Sequence, residues 1–139
     1  MKRAIGLDLG SKTLGIAQSD LMKIIASPVE TYRFNENEYD VALDYVVSFI
    51  KANNVDEVVL GLPKHMNGDI GDRALISIEF KEKLESLVSE IKVILWDERL
   101  SSVSANKILI KGNVSREKRK KVIDKMAAVV ILQGFLDSK

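Results

Sequence analysis

Ala4-Ile5-Gly6-Leu7-Asp8-Leu9-Gly10, followed by Ser11-Lys12-Thr13-Leu14-Gly15-Ile16-Ala17, is the stretch on which the reading of this chain turns. Apolar runs bounded by glycine read as strands, and the few residues between these two runs leave room only for a tight turn. Two short strands follow, over residues 3–9 and 13–19. Asp8 interrupts the first of them. A carboxylate inside an apolar strand is costly unless something pairs with it. A metal ion would pair with it and turn the cost into a site. Turn N–H groups donating to its oxygens would satisfy it as well.

Working outward, a third strand is predicted in Ile24–Arg33, where Pro28 marks an edge or a bulge. Asn35-Glu36-Asn37-Glu38 starts a helix whose apolar stripe is Val41, Tyr45, Phe49 and Ile50, and Asn53-Asn54 ends it. Glu57–Leu62 reads as a buried strand closed by Pro63. Lys64–Gly71 is a loop with a Met66-Asn67-Gly68 turn. A second helix spans Asp72–Ser89, with Leu75, Ile78, Leu84, Leu87 and Val88 apolar, and Lys92–Trp96 is another buried strand. Asp97-Glu98-Arg99-Leu100-Ser101-Ser102 leads into a helix through Ile110, Lys111–Lys121 is a basic loop, and Val122–Phe135 is a helix apolar nearly all round, predicted to be mostly buried. The order is β-β-β-α-β-α-β-α-α. Strands joined by short turns cannot be parallel, whereas strands separated by helices fit parallel right-handed crossovers. The predicted fold class is α/β: a mixed five-stranded sheet with helices on both faces, the strand order of the ribonuclease H-like fold, in one domain over residues 1–139.

Composition is consistent with this. A chain of 139 residues buries about 68–70% of its unfolded surface, enough for a core without staples. The absence of cysteine excludes disulfides, thiolate zinc sites and a cysteine nucleophile. There is no long apolar segment for a signal peptide or a membrane span, so a cytoplasmic location with no membrane partner is expected. The net charge of +1 is uninformative, but its distribution is not. Residues 30–44 carry Glu30, Glu36, Glu38, Asp40 and Asp44 against Arg33, whereas residues 111–125 carry Lys111, Arg116, Lys118, Arg119, Lys120, Lys121 and Lys125 against Glu117 and Asp124.

Several acids stand at element ends. Asp8 lies on the first strand, Asp97 and Glu98 end the last, and Asp124 opens the final helix beside Ala127 and Ala128, whose small side chains permit close approach to the sheet. Functional groups in open α/β sheets gather beyond the carboxyl ends of the parallel strands. Carboxylates crowded there repel one another unless cations intervene, and hard oxygen-ligated ions, Mg²⁺ or Mn²⁺, are the natural choice. A pair of such ions clamps the oxygens of a phosphodiester during in-line displacement. Each residue also has a plainer reading. Glu98 can pair with Arg99 or cap the next helix, and Asp124 gains from the helix dipole wherever it sits in a first turn. Asp97 suits a helix entry or support of a neighbouring ligand, His65 a solvated or phosphate-facing loop position, and Trp96 packing. Arg99 with Ser101-Ser102 either binds phosphate or caps. The basic run is either a phosphate track or a solvated loop.

Four blocks together resemble the YqgF family of Holliday-junction-resolvase-like proteins, also described as pre-16S rRNA nucleases. They are Gly6-Leu7-Asp8-Leu9-Gly10-Ser11-Lys12 continuing to Gly15-Ile16-Ala17-Gln18-Ser19-Asp20; Gly61-Leu62-Pro63 with Met66-Asn67-Gly68; Asp97-Glu98-Arg99-Leu100-Ser101-Ser102; and Asp124-Lys125-Met126-Ala127-Ala128 with Ile131-Leu132-Gln133. The resemblance covers nearly the whole chain. It implies a metal-dependent nuclease that processes the 5′ end of the small-subunit ribosomal RNA precursor, with RNA favoured over DNA and a pre-ribosomal particle as partner. It implies Asp8, Glu98 and Asp124 as catalytic metal ligands for two ions, Mg²⁺ or Mn²⁺. Lys12 and Arg99 are implied as phosphate contacts, joined by Lys111, Arg116, Lys118, Arg119, Lys120 and Lys121. Thr13 stands where the family has Arg, and Asn67 where it has Asp. Monomer and homodimer both fit.

Rival readings come from other classes. An Asp-x-Gly hairpin also opens the actin-like ATPases, but those need a second comparable lobe and this chain carries no second such hairpin. A junction-type DNA resolvase would use the same fold, and so would a non-catalytic nucleic-acid-binding or ribosome-assembly module.

Overall fold

The computed structural model describes residues 2–63, 71–97 and 116–138, with backbone alone over 116–125. Strand β1 (Arg3–Leu9) turns tightly into β2 (Thr13–Ser19), which turns into β3 (Ala26–Arg33). Helix α1 (Tyr39–Asn53) leads to β4 (Val55–Leu62), α2 (Asp72–Leu87) to β5 (Lys92–Asp97), and α3 runs Arg116–Asp137. The five strands lie in the order β3-β2-β1-β4-β5. The two hairpin pairings are antiparallel, and β1–β4 and β4–β5 are parallel. This is the mixed ribonuclease H-like sheet expected from connection lengths. Pro28 proves to be both an edge residue and part of an irregularity, because the β2–β3 register shifts between Ile16 and Ala17.

Strand alternation sorts the side chains into two layers. Ile5, Leu7, Leu9, Leu14, Ile16, Val58, Leu60 and Val93 pack with Ala42, Leu43, Val46 and Ile50 of α1 and Phe80 and Leu84 of α2. On the opposite face Ala4, Ala17 and Val59 pack with Ala128, Ile131, Leu132, Phe135 and Leu136 of α3, and Ile94 and Trp96 join this side. Among the described residues, helices therefore cover both faces, α1 and α2 on one and α3 on the other.

The helices differ from their predicted outlines in instructive ways. In α1 the buried stripe is Ala42, Leu43, Val46 and Ile50 rather than Val41, Tyr45, Phe49 and Ile50, and Val41 is 41% exposed. Tyr45 sits at the flank and stacks on Tyr32 of β3 with ring centroids 4.0 Å apart. The aromatic residues cap the sheet edge, which leaves the smaller aliphatics to fill the core. The helix begins at Tyr39, not Asn35, because Asn37 takes a left-handed backbone (φ 63°) that no helical turn accommodates. It ends as expected at the asparagines, with Asn54 left-handed (φ 54°) and its N–H returned to the carbonyl of Ile50.

In α2 the buried face is Ala74, Ser77, Phe80 and Leu84, while Leu75 and Leu87 are exposed. Strand β5 is a sheet edge and only Val93 is fully buried, so its predicted burial was too deep. The segment Arg116–Lys121, predicted as the second half of a basic loop, is the start of α3. Lysine and arginine are good helix formers, and charge alone does not make a loop. In its described part α3 buries a single stripe (128, 131, 132, 135, 136) and leaves Met126 40% exposed, so it is less enclosed than its composition suggested. The predicted helix through Ile110, and most of the Lys64–Gly71 loop, lie outside the described residues.

Candidate active site

Asp8 is the penultimate residue of β1 and lies on the α3 side of the sheet, because Ile5, Leu7 and Leu9 take the other side. Its cross-strand partner is Gly15. A Cβ placed on Gly15 would lie 3.6 Å from the Asp8 Cβ and 3.6 Å from the Ala128 Cβ. Asp8 therefore has a neighbour without a side chain on one flank and α3 above it. Gly6, two residues earlier on the same side, lies directly under the helix. A Cβ there would meet the Ala128 carbonyl at 2.6 Å and the Leu132 Cβ at 2.7 Å. That approach is possible because the contact surfaces are Gly6 and Ala128.

These contacts also fix the direction of α3. Gly6 meets residues 128 and 132, and Gly15, paired with Asp8, meets Ala128. Moving toward the α3 N-terminus thus moves toward the end of β1 that carries Asp8. Asp124 is helical and one turn before Ala128, so the topology brings its backbone position to the Asp8 end of the sheet. Gln133 anchors the other end of the helix. Its Oε1 accepts from the Ala26 N–H at 2.9 Å and its Nε2 donates to the Ile24 carbonyl at 3.0 Å.

Asp8 is half-buried, and among the described residues nothing donates to its carboxylate. This weighs against the reading in which turn N–H groups satisfy it, and the nearby turn makes its bonds elsewhere. The Gly10 N–H donates to the Thr13 carbonyl (2.7 Å), Phe34 N–H to the Lys12 carbonyl (2.9 Å) and Asn37 N–H to the Ser11 carbonyl (2.9 Å). Lys12 is held at the tip of this pinned turn with its side chain exposed. Thr13, where an arginine was expected, pairs in register with Arg33, which lies exposed on the same side of the sheet as Asp8.

The third acid is placed less directly. Strand β5 is not adjacent to β1; β4 lies between them. Leu7, Leu60 and Leu95 form one row across the three strands, so Asp8 is level with Gly61 and Trp96. Two strand spacings amount to about 9.5 Å. Val93 and Leu95 face α1 and α2 whereas Ile94 and Trp96 face α3. Asp97 has the parity of Val93 and Leu95 and so faces away from Asp8. Glu98, Arg99 and Lys111 lie outside the described residues, and Arg116, Lys118, Arg119, Lys120 and Lys121 are placed only as backbone in the first turns of α3. Among the described residues no three acidic or histidine side chains form a metal cluster. Trp96 packs edge-on against Phe135 (6.3 Å) and over Gly134, which is the packing role its sequence context suggested.

Arg73 was not visible as a site residue. It is the second residue of α2, half-buried, with Nη2 donating to the Leu9 carbonyl at 2.9 Å and Nη1 to the Tyr39 hydroxyl at 3.0 Å. One sequence signal existed: a cation in a first helical turn opposes the helix dipole, so its presence there asks for another use.

A ribonuclease H-like sheet with a carboxylate near the end of its first strand that has no donor among the described residues, and a helix start carrying a second acid and a basic run, has the architecture of phosphodiester-cleaving enzymes. The chain belongs to the family described as RuvX, Holliday junction resolvase, whose model matches residues 2–138. It is 54% identical over 136 residues to a Staphylococcus epidermidis protein named "Putative pre-16S rRNA nuclease", covering 98% of this chain and 96% of that one. It is 53% identical over 137 residues to a Bacillus mycoides protein of the same name, covering 99% of each. Its fold is similar to T. thermophilus RuvC, solved in complex with a Holliday junction substrate (TM-score 0.66, 10% identity, 99% of this chain and 95% of that one). It is also similar to the fowlpox virus Holliday junction resolvase (TM-score 0.57, 14% identity, 98% of each).

Proposed function

We propose that this protein is a divalent-metal-dependent nuclease that trims the 5′ end of the 16S ribosomal RNA precursor in the cytoplasm. The observation that carries the proposal is Asp8: a half-buried carboxylate without a donor among the described residues, paired with Gly15, which meets Ala128 one helical turn after Asp124. Full-length relatives above half identity carry the pre-16S rRNA nuclease name, which supports the substrate. Asp8, Asp124 and Glu98 are the proposed ligands. Asp97 faces the wrong side, so of the two neighbours Glu98 is assigned. Three oxygen donors suit Mg²⁺ or Mn²⁺.

Bound there, such ions would supply Lewis-acid charge for phosphodiester hydrolysis. The protein's own residues do the rest. Lys12, on a turn whose Ser11 and Lys12 carbonyls and Gly10 N–H are hydrogen-bonded, offers its ammonium to a phosphate from a backbone that is already held in place. Arg99, Lys111, Arg116, Lys118, Arg119, Lys120 and Lys121 hold the strand by its phosphates, which gives affinity without sequence choice. Matched single-stranded RNA, duplex DNA and four-way-junction substrates test the assignment. Mn²⁺-dependent cleavage of the RNA spanning the 16S 5′ end, lost in Asp8→Asn, is expected. The family description favours one second reading, junction resolution. Symmetric cleavage of the junction with the RNA left intact would select it.

A further inference from the structure

We propose that Arg73 is a positioning residue of the nuclease centre, one that fixes the strand end carrying Asp8 and the turn carrying Lys12; this rests on the nuclease reading above. Leu9, whose carbonyl receives Nη2 of Arg73 at 2.9 Å, directly follows Asp8. It is the last residue of β1, where the strand leaves the sheet and the backbone has least support from its neighbours. The second arm of the guanidinium reaches the same turn by a longer route. Nη1 donates to the Tyr39 hydroxyl at 3.0 Å, that hydroxyl donates to the Asn37 side-chain oxygen at 3.2 Å, and the Asn37 N–H donates to the Ser11 carbonyl at 2.9 Å. One side chain on α2 thus ties the strand end directly and the turn through the entry to α1. Asn37 is held in the left-handed region along this path, so the segment is committed to that conformation.

Arg73 is not one half of an ordinary ion pair. Among the described residues its partners are a carbonyl and a hydroxyl, both neutral. Among the described residues no carboxylate hydrogen-bonds to it, and it sits at the end of the sheet where the proposed metal ligands gather. Its position in the first turn of α2 is electrostatically unfavourable for the helix. Both facts fit a residue placed for the site and not for α2.

The test compares wild type with Arg73→Met, Arg73→Lys and Tyr39→Phe, each checked for native folding by circular dichroism and assayed well below its Tm. Lysine keeps the charge but cannot fork to both acceptors. The readout is the Mn²⁺ concentration for half-maximal cleavage, together with kcat and KM for the RNA. Groups that orient metal ligands typically change metal affinity or activity by about 10–100-fold. Arg73→Met is expected to raise half-activating Mn²⁺ and lower kcat within that range, with KM for RNA changed less than about threefold. Arg73→Lys falls between, and Tyr39→Phe shows the same pattern more weakly. A purely structural arginine would lower Tm while leaving half-activating Mn²⁺ unchanged in the folded variants, and that result overturns the proposal. If Arg73→Met does not fold, Arg73→Lys and Tyr39→Phe decide by the same readout. A wild-type protein without metal-dependent cleavage overturns the nuclease reading and this one with it. A wild type that cleaves, with variants that match it, overturns the role of Arg73 alone.

Discussion

Beneath α1 and α2 the sheet presents Ile5, Leu7, Leu14, Ile16, Val58 and Leu60, all buried; beneath α3 it presents Ala4, Gly6, Asp8, Gly15, Ala17 and Val59. The first face is a thick aliphatic core in which α1 and α2 rest on branched side chains. The second is made of small residues, so the α3 backbone comes down onto the β1 backbone at Gly6. A helix resting on large side chains can repack when one of them changes. A helix resting on backbone can only move. The small face gives up hydrophobic burial but sets the height of α3, and with it the level of the Asp124 backbone at the Asp8 end of the sheet. On the proposed assignment of Asp8 and Asp124, the sheet separates tasks by face, with stability drawn mainly from one and the geometry of the proposed site from the other.

Substitutions on the two faces should therefore fail differently. Between the two faces, the largest expected effect on cleavage per folded molecule is at Gly6. Alanine there collides with the Ala128 carbonyl and the Leu132 Cβ, and overpacking of this kind costs about 1–3 kcal/mol. Because relief requires lifting α3, cleavage per folded molecule should fall together with Tm. Gly15→Ala is the control: its Cβ finds ordinary contact distances, so chemical denaturation should show little change. On the other face Leu7→Ala should cost about 2–5 kcal/mol by leaving a cavity. Urea titration should register that loss while the folded fraction cleaves at the wild-type rate. Inactivity of folded Leu7→Ala, or full activity of folded Gly6→Ala, would break the division between the faces.

A smaller effect is expected at the basic start of α3. Replacing Arg119, Lys120 and Lys121 with alanine should weaken RNA and DNA binding alike. Each lost phosphate contact should flatten the slope of log affinity against log salt by about 0.7–0.9. Cleavage at saturating substrate should change little, because Asp8 and Asp124 are retained. An unchanged salt slope would return the run to a solvated helix start.

Much of the fold was legible from connection length. Short turns after β1 and β2 dictate antiparallel pairing, and the helical crossovers before β4 and β5 dictate parallel pairing. Pro28 told of its edge for the reason that proline lacks a ladder donor. The helix faces were less legible. In α1 the aromatics at 45 and 49 looked like core, but the sheet edge offered Tyr32 as a stacking partner, and tertiary packing rotated the buried stripe to Ala42, Leu43 and Val46. In the proposed site, Asp8 drew attention because a carboxylate in a strand needs a reason. Asp124 was suggested by the alanines after it, and the Gly6–Ala128 contact gives that hint its physical content. Arg73 was hidden because its partners are a carbonyl and a hydroxyl far away in sequence. No local pattern encodes such a contact.

The contrast between Asp97 and Glu98 sharpens the site further. Alternation along β5 turns Asp97 away from the α3 face. Glu98→Gln should therefore abolish cleavage while Asp97→Asn retains most of it, and the reverse pattern would shift the site register by one residue.

The most direct measurement of the central claim is the effect of Mn²⁺ on Tm in wild type and Asp8→Asn. With free metal about 100-fold above its dissociation constant, a native-state site adds about 2.7 kcal/mol, an upward shift of about 5–10 °C for a chain of this size. The wild type should show that shift. Asp8→Asn should lose it, while its metal-free Tm is equal or higher because carboxylate repulsion has been relieved. The same Mn²⁺ shift in both proteins would contradict the assignment of Asp8 as a metal ligand.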